Sequence, residues 1–104
     1  MIEGMELSNV IECISERVDD TVKPNIQEGK IKEVSRNISD LVFFLNLYRT
    51  EISGYHHGIG FIASAMCLEE DIIGNSSGFQ NSMGRFEMEL TQLRLATKTD
   101  DIYN

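Results

Sequence analysis

The sequence predicts an all-α protein, a four-helix antiparallel bundle or an orthogonal variant of it. Two observations carry this. Apolar residues recur three and four apart through four separate segments, and no stretch alternates with period two beside a hairpin turn. Loops of about four to nine residues join the segments, which suits helices packed side by side. A chain of 104 residues buries roughly two-thirds of its unfolded surface and cannot be divided without losing its core, so residues 1–104 are read as one domain.

The first helix is expected at about 3–20, where Leu7, Ile11, Ile14 and Val18 repeat at helical spacing with Val10 beside them. Thr21 to Gly29 is expected to break it, since Pro24 lacks a backbone donor and Asn25 and Gly29 suit a turn. The central helix is expected at about 27–53. Ile31, Val34, Ile38, Leu41, Leu45, Tyr48 and Ile52 form one stripe there. Val42, Phe43, Phe44 and Leu47 widen the apolar surface, so more than one neighbour must cover it. Gly54 suits its end, and Gly54-Tyr55-His56-His57-Gly58-Ile59-Gly60 reads as a loop or a loosely wound helix start.

The third helix is expected at about 59–73, with Ile59, Ile62, Met66, Leu68 and Ile72 inward and Gly60, Ala63, Ser64 and Ala65 admitting a closely packed neighbour. Residues 74–78 form a turn, with Ser76 or Ser77 as the next N-cap. The last helix, about 78–97, repeats the central pattern in Phe79, Met83, Phe86, Leu90 and Leu93, weakened at Gly84. Residues 98–104 lose the periodicity and read as a frayed tail. The stripes of the central and last helices could also form a dimer seam, but packing into the chain's own core, and hence a monomer rather than a homodimer, is the reading adopted.

Seventeen acidic against nine basic side chains give a net charge of −8. Residues 1–22 hold six acids and one Arg, contributing −5 of it. Such a charge repels phosphate backbones and anionic lipid, so direct binding to nucleic acid or membrane is disfavoured and a basic protein partner is favoured. No segment is long enough to span a bilayer, and the acidic start MIEGMELS has no signal-peptide pattern, so a cytoplasmic protein is expected. Cys13 and Cys67 follow no metal or redox spacing and are expected as free thiols in the core.

Two acidic sets are candidate partner-binding residues, Glu12, Glu16, Asp19 and Asp20 on the first helix and Glu69, Glu70 and Asp71 near the end of the third. Asp19 and Asp20, like the second set, sit where the helix macrodipole disfavours negative charge. The sets read as a solvated face, as a docking surface for a basic protein, or as a divalent-cation site, although no EF-hand loop is present. Tyr55 and Met88 are expected as exposed apolar anchors. His56 and His57 could meet a metal with Glu51 or Cys67, but no paired ligand spacing supports one. A Cys67–His57 nucleophilic pair is disfavoured by the apolar surroundings of Cys67, and the glycines form neither GxGxxG nor a P-loop. No catalytic residue, metal or cofactor is expected.

In size, helical makeup, lack of a signal peptide and the clusters Glu12/Glu16/Asp19/Asp20 and Glu69/Glu70/Asp71, the chain resembles the small immunity proteins that neutralise bacterial toxins, including those of contact-dependent growth inhibition. It lacks the tyrosine-tyrosine-proline element of the helical colicin-type nuclease-immunity proteins. The resemblance implies a non-catalytic protein that covers the active site of a toxin domain, often a nuclease, by imitating the charge of its nucleic-acid substrate. A secretion chaperone or phage-encoded inhibitor is the alternative, followed by a metal-dependent enzyme using His56, His57 and Glu51.

Overall fold

The computed structural model of the protein describes residues 4–74 and 79–99. Within them the chain is predominantly helical, with α1 at Gly4–Arg17, a π-helical turn at Val18–Val22, α2 at Lys23–Gln27, α3 at Ile31–Asn46, α4 at Arg49–Ser53, α5 at Gly58–Ile73 and α6 at Phe79–Lys98. No strand occurs among the described residues, and no helix among them is long and apolar enough to cross a membrane.

The first helix does not break where Pro24 predicts it. The Lys23 N–H reaches back five residues to the Val18 carbonyl, and this wide turn lets the chain stay helical into α2, with Pro24 in its first turn. Val18 and Val22 remain in the core. The true stop is Gly29, at φ +72°, where Lys30 N–H donates to Asn25 O (2.9 Å) and Gly29 N–H to Ile26 O (3.1 Å). This is the Schellman arrangement, which needs a left-handed residue just past the helix.

The long central helix is two helices. At Leu47 and Tyr48 the backbone N–H groups bond to Phe44 O and Leu45 O, three residues back, and Tyr48 leaves helical geometry before α4 resumes. The apolar stripe continues across the break: Val34, Ile38, Leu41, Leu45 and Ile52 are all buried. Leu47 is turned out into solvent instead.

α5 and α6 lie close to their expected bounds. Met83, Phe86, Leu90 and Leu93 of α6 are buried as expected. In α5 the inward face is Phe61, Ala65, Leu68 and Ile72, so Ile59 and Met66, expected inward, lie outside. Phe61 stacks on Phe86 with 5.3 Å between ring centroids, joining α5 to α6 at the centre of the core. Of the expected turn at 74–78, residues 75–78 with the Ser76 or Ser77 cap lie outside the described residues, as does most of the expected tail.

One hydrophobic cluster takes side chains from α1, the π turn, α3, α4, α5 and α6. α5 packs between α3 and α6, and α1 packs on α6. The Arg17 guanidinium lies 5.7 Å from the centre of the Phe44 ring, and Asn25 Nδ2 donates to Asn37 Oδ1 at 2.9 Å, so the end of α1 and α2 are also fastened to α3. The molecule measures 37 × 22 × 20 Å.

Candidate functional site

The acidic face of α1 is built against the basic residues of α6. Glu12 accepts a bidentate pair of hydrogen bonds from Arg94, Nε to Oε1 at 2.9 Å and Nη2 to Oε2 at 3.1 Å, and Lys98 Nζ lies 3.2 Å from the same carboxylate. The hydrogen bond from Arg94, then that from Lys98, holds the Glu12 carboxyl below its ordinary range, and Glu12 in turn raises Arg94. Two turns along, Lys23 bridges Glu87 of α6 (3.0 Å) and Asp19 (3.1 Å), and these contacts, Glu87 first, raise its own pKa. The order of the pairs, Glu12 with Arg94 and Lys23 with Glu87, makes α1 and α6 antiparallel.

Four acids read as one outward set therefore divide. Glu12 and Asp19 are committed to the seam, whereas Glu16 and Asp20 are exposed and take part in no ion pair among the described residues. On α6, which packs on α1, Met88 and Leu95 are more than half exposed. Each follows a seam residue, Glu87 or Arg94, and so lies about 100° further round the helix, on its outer side. Met88 is exposed as expected. Leu95 was not anticipated, although it stands seven residues beyond Met88. The basic partners Arg94 and Lys98 were also missed; their four-residue spacing matches that of Glu12 and Glu16.

The second acidic set does not act as a unit. Glu70 is exposed and Glu69 half-buried, while Asp71 accepts a hydrogen bond from the Ser82 hydroxyl and ties α5 to α6. Consecutive helical residues point about 100° apart, which separates the three. With α6 packed between α1 and α5, the two sets lie on different flanks of the molecule.

Tyr55 is not an exposed anchor: it is 9 % exposed and belongs to the core. The reason is the tightness of the turn between α4 and α5, where Tyr55 N–H bonds to Ile52 O and Gly58 N–H to Tyr55 O. A Cβ on Gly58 would sit 1.8 Å from Ile52 O, so only glycine lets the two helices meet this closely. Cys67, expected in the core, is exposed, and Cys13 is half-buried; both are free thiols.

His57 precedes α5 at φ 67° and pairs with Glu89 of α6, Nδ1 to Oε1 at 2.9 Å. Gly60 leaves the space for that carboxylate, since a Cβ there would lie 2.6 Å from Glu89 Oε2. The negative charge also faces the first turn of α5, where the helix dipole favours it. A cleft of about 280 Å³ beside this pair is lined by Ser53, Tyr55, His56, His57, Ile59 and Gly60. Among the described residues no three His, Cys, Asp or Glu side chains are grouped to hold a metal ion, and no buried side-chain nitrogen or oxygen lacks a hydrogen-bond partner. The pair acts as a clamp between α5 and α6.

No family model matches the chain, and no curated protein or solved structure matches it. Over the described residues the chain is an all-helical protein in which α1 carries the exposed Glu16 and Asp20 and α6 the exposed Met88 and Leu95.

Proposed function

We propose that the protein is a non-catalytic acidic binding protein that neutralises a basic protein partner, in the manner of an immunity protein that blocks a toxin domain in the cytoplasm. Its long helices α1, α3, α5 and α6 are read as an antiparallel four-helix bundle that holds the binding face rigid. One observation carries the reading: among the described residues Glu16 and Asp20 take part in no ion pair while Glu12 and Asp19 do, and α6, packed on α1, exposes Met88 and Leu95. Charge of this sign steers a basic partner, and apolar side chains that become buried supply the holding energy. The net charge of −8 acts in the same direction at long range.

The test is affinity capture from the native host at low and high salt, with the double variant Glu16→Lys/Asp20→Lys as control. The expected result is one basic protein at a one-to-one ratio, released by salt and not retained by the variant. Equal capture by wild type and variant would remove the acidic face from the proposal.

A further inference from the structure

A cleft of about 240 Å³ opens where the end of α1 and the π-helical turn face α3, lined by Arg17, Thr21, Val22, Asn37, Asp40 and Leu41. Turns of this wide winding are rare in proteins and recur at functional positions. Val22 and Leu41 are buried and supply an apolar floor, while Arg17, Thr21 and Asp40 are exposed and Asn37 is half-buried. Among the described residues the Arg17 guanidinium, the Thr21 hydroxyl and the Asp40 carboxylate make no hydrogen bond or ion pair. Asn37 accepts a hydrogen bond from Asn25 Nδ2 at 2.9 Å through its Oδ1, which fixes its amide and keeps its own NH2 available as a donor. Arg17 and Asp40 thus give one cleft both signs of charge without meeting each other. Phe44 explains the separation: the guanidinium lies 5.7 Å from the centre of that ring. Phe44 stands one helical turn beyond Asp40, about 6 Å along α3.

We propose that this cleft binds a free aliphatic α-amino acid as its zwitterion. A carboxylate alone would satisfy Arg17 and leave Asp40 facing its own sign, and an amine alone would do the reverse. A molecule with both charges on one carbon satisfies both walls. Its ammonium and carboxylate, with a hydrogen bond of about 2.8 Å at each end, span about 6–8 Å. Arg17 offers paired N–H donors to the carboxylate, and Phe44 already holds the guanidinium, so little side-chain freedom is lost on binding. Asp40 accepts from the ammonium, and the Asn37 NH2 and the Thr21 hydroxyl add directional donors. Val22 and Leu41 offer no polar partner, so an aliphatic side chain is favoured over a polar one. The volume lies below the roughly 300–1,000 Å³ of sites for drug-sized ligands, which matches one amino acid rather than a peptide. None of the six lining residues takes part in the ion pairs that join α1 and the π turn's neighbour Lys23 to α6, so amino-acid binding does not depend on that seam.

The test is isothermal titration calorimetry of the full chain with L-valine up to about 10 mM, a range that brackets weak small-molecule binding. Saturation is expected with a Kd of about 1 mM or tighter. Isovalerate, which is valine without its ammonium, and isobutylamine, which is valine without its carboxylate, should each bind about tenfold or more weakly. Arg17→Met and Asp40→Asn should each weaken L-valine binding by about tenfold or more, with unchanged helical circular dichroism because both side chains are exposed. Arg36→Met, exposed on α3 outside the cleft, should leave the Kd unchanged. In nitrogen-edited spectra L-valine should shift the amides of residues 17–22 and 37–41 first. No saturable heat with L-valine, equal binding of either single-charge analogue, or shifts centred on other residues would each overturn the proposal. So would a Kd indifferent to Arg17→Met and Asp40→Asn, or an equal loss in Arg36→Met.

Discussion

Arg94 grips Glu12 through two parallel hydrogen bonds across 82 positions of sequence, and Lys98 reinforces the same carboxylate. The folded state therefore keeps Glu12 ionised at a pH where the unfolded chain takes up a proton. The unfolded state binds more protons in that window, so stability rises with pH there. The contribution is complete above the ordinary carboxyl value of 4.5 and is lost as pH falls through the lower folded value. Denaturant titrations across acid pH should show a shallower slope for Glu12→Gln. Because the pair is partly solvated, the difference at neutral pH should be about 1 kcal/mol or less.

Charge reversal should separate the two kinds of acid on α1. Glu12→Lys sets a third cation beside Arg94 and Lys98 and should lower stability by about 1 kcal/mol or more. Glu16→Lys and Asp20→Lys should leave the melting temperature nearly unchanged and act only on partner affinity and its salt dependence. Thermal melts of the single variants beside titrations with the captured partner would show both effects. If Glu16→Lys melts as low as Glu12→Lys, Glu16 is part of the seam.

Two glycines two residues apart should respond very differently to alanine. At Gly58 the added carbon meets the Ile52 carbonyl, a backbone group that cannot step aside, and Gly58→Ala should cost about 3 kcal/mol or more. At Gly60 it meets the end of the Glu89 side chain, which can rotate away, so Gly60→Ala should cost about 1 kcal/mol or less while breaking the His57–Glu89 pair. Urea denaturation midpoints measure both, and a mild Gly58→Ala would contradict the close packing of α5 on α4.

Core truncation and helix repair should move stability in opposite directions. Leu41→Ala and Leu90→Ala remove buried side chains and should each cost about 2–5 kcal/mol. Gly84 is exposed inside α6 with nothing within 4 Å of where a Cβ would lie, and Gly84→Ala should gain about 0.5–1 kcal/mol. Calorimetric melts of the three variants provide the comparison.

The helical class and the inward stripes of α3 and α6 were legible in the sequence because Val34, Ile38, Leu41 and Leu45, like Met83, Phe86, Leu90 and Leu93, recur three and four apart over several turns. The break at Leu47 and Tyr48 was not, since Ile52 continues the same periodicity on its far side. In α5 the run GIGFIASAMCL is apolar or small on every side, so spacing alone could not choose the face of Phe61 over that of Ile59 and Met66. The division of the α1 acids depends on Arg94 and Lys98, whose approach is decided by how α1 docks on α6 rather than by anything local to Glu12. Tyr55 was misplaced for a similar reason: its burial follows from how tightly Gly58 lets the turn close.

The seam between α1 and α6 also bears on the order in which the chain assembles. α3 with α5 and α5 with α6 are near in sequence and can pair early, while the end of α1 must close a loop of about 65 residues before it meets the start of α6, and Glu12 meets Arg94 only across 82 positions. Docking of α1 is therefore expected late, after the folding barrier. Substitutions at Glu12 or Arg94 should accordingly leave the refolding rate almost unchanged and shorten the lifetime of the native state, so this pair sets how long the molecule stays folded rather than how fast it gets there.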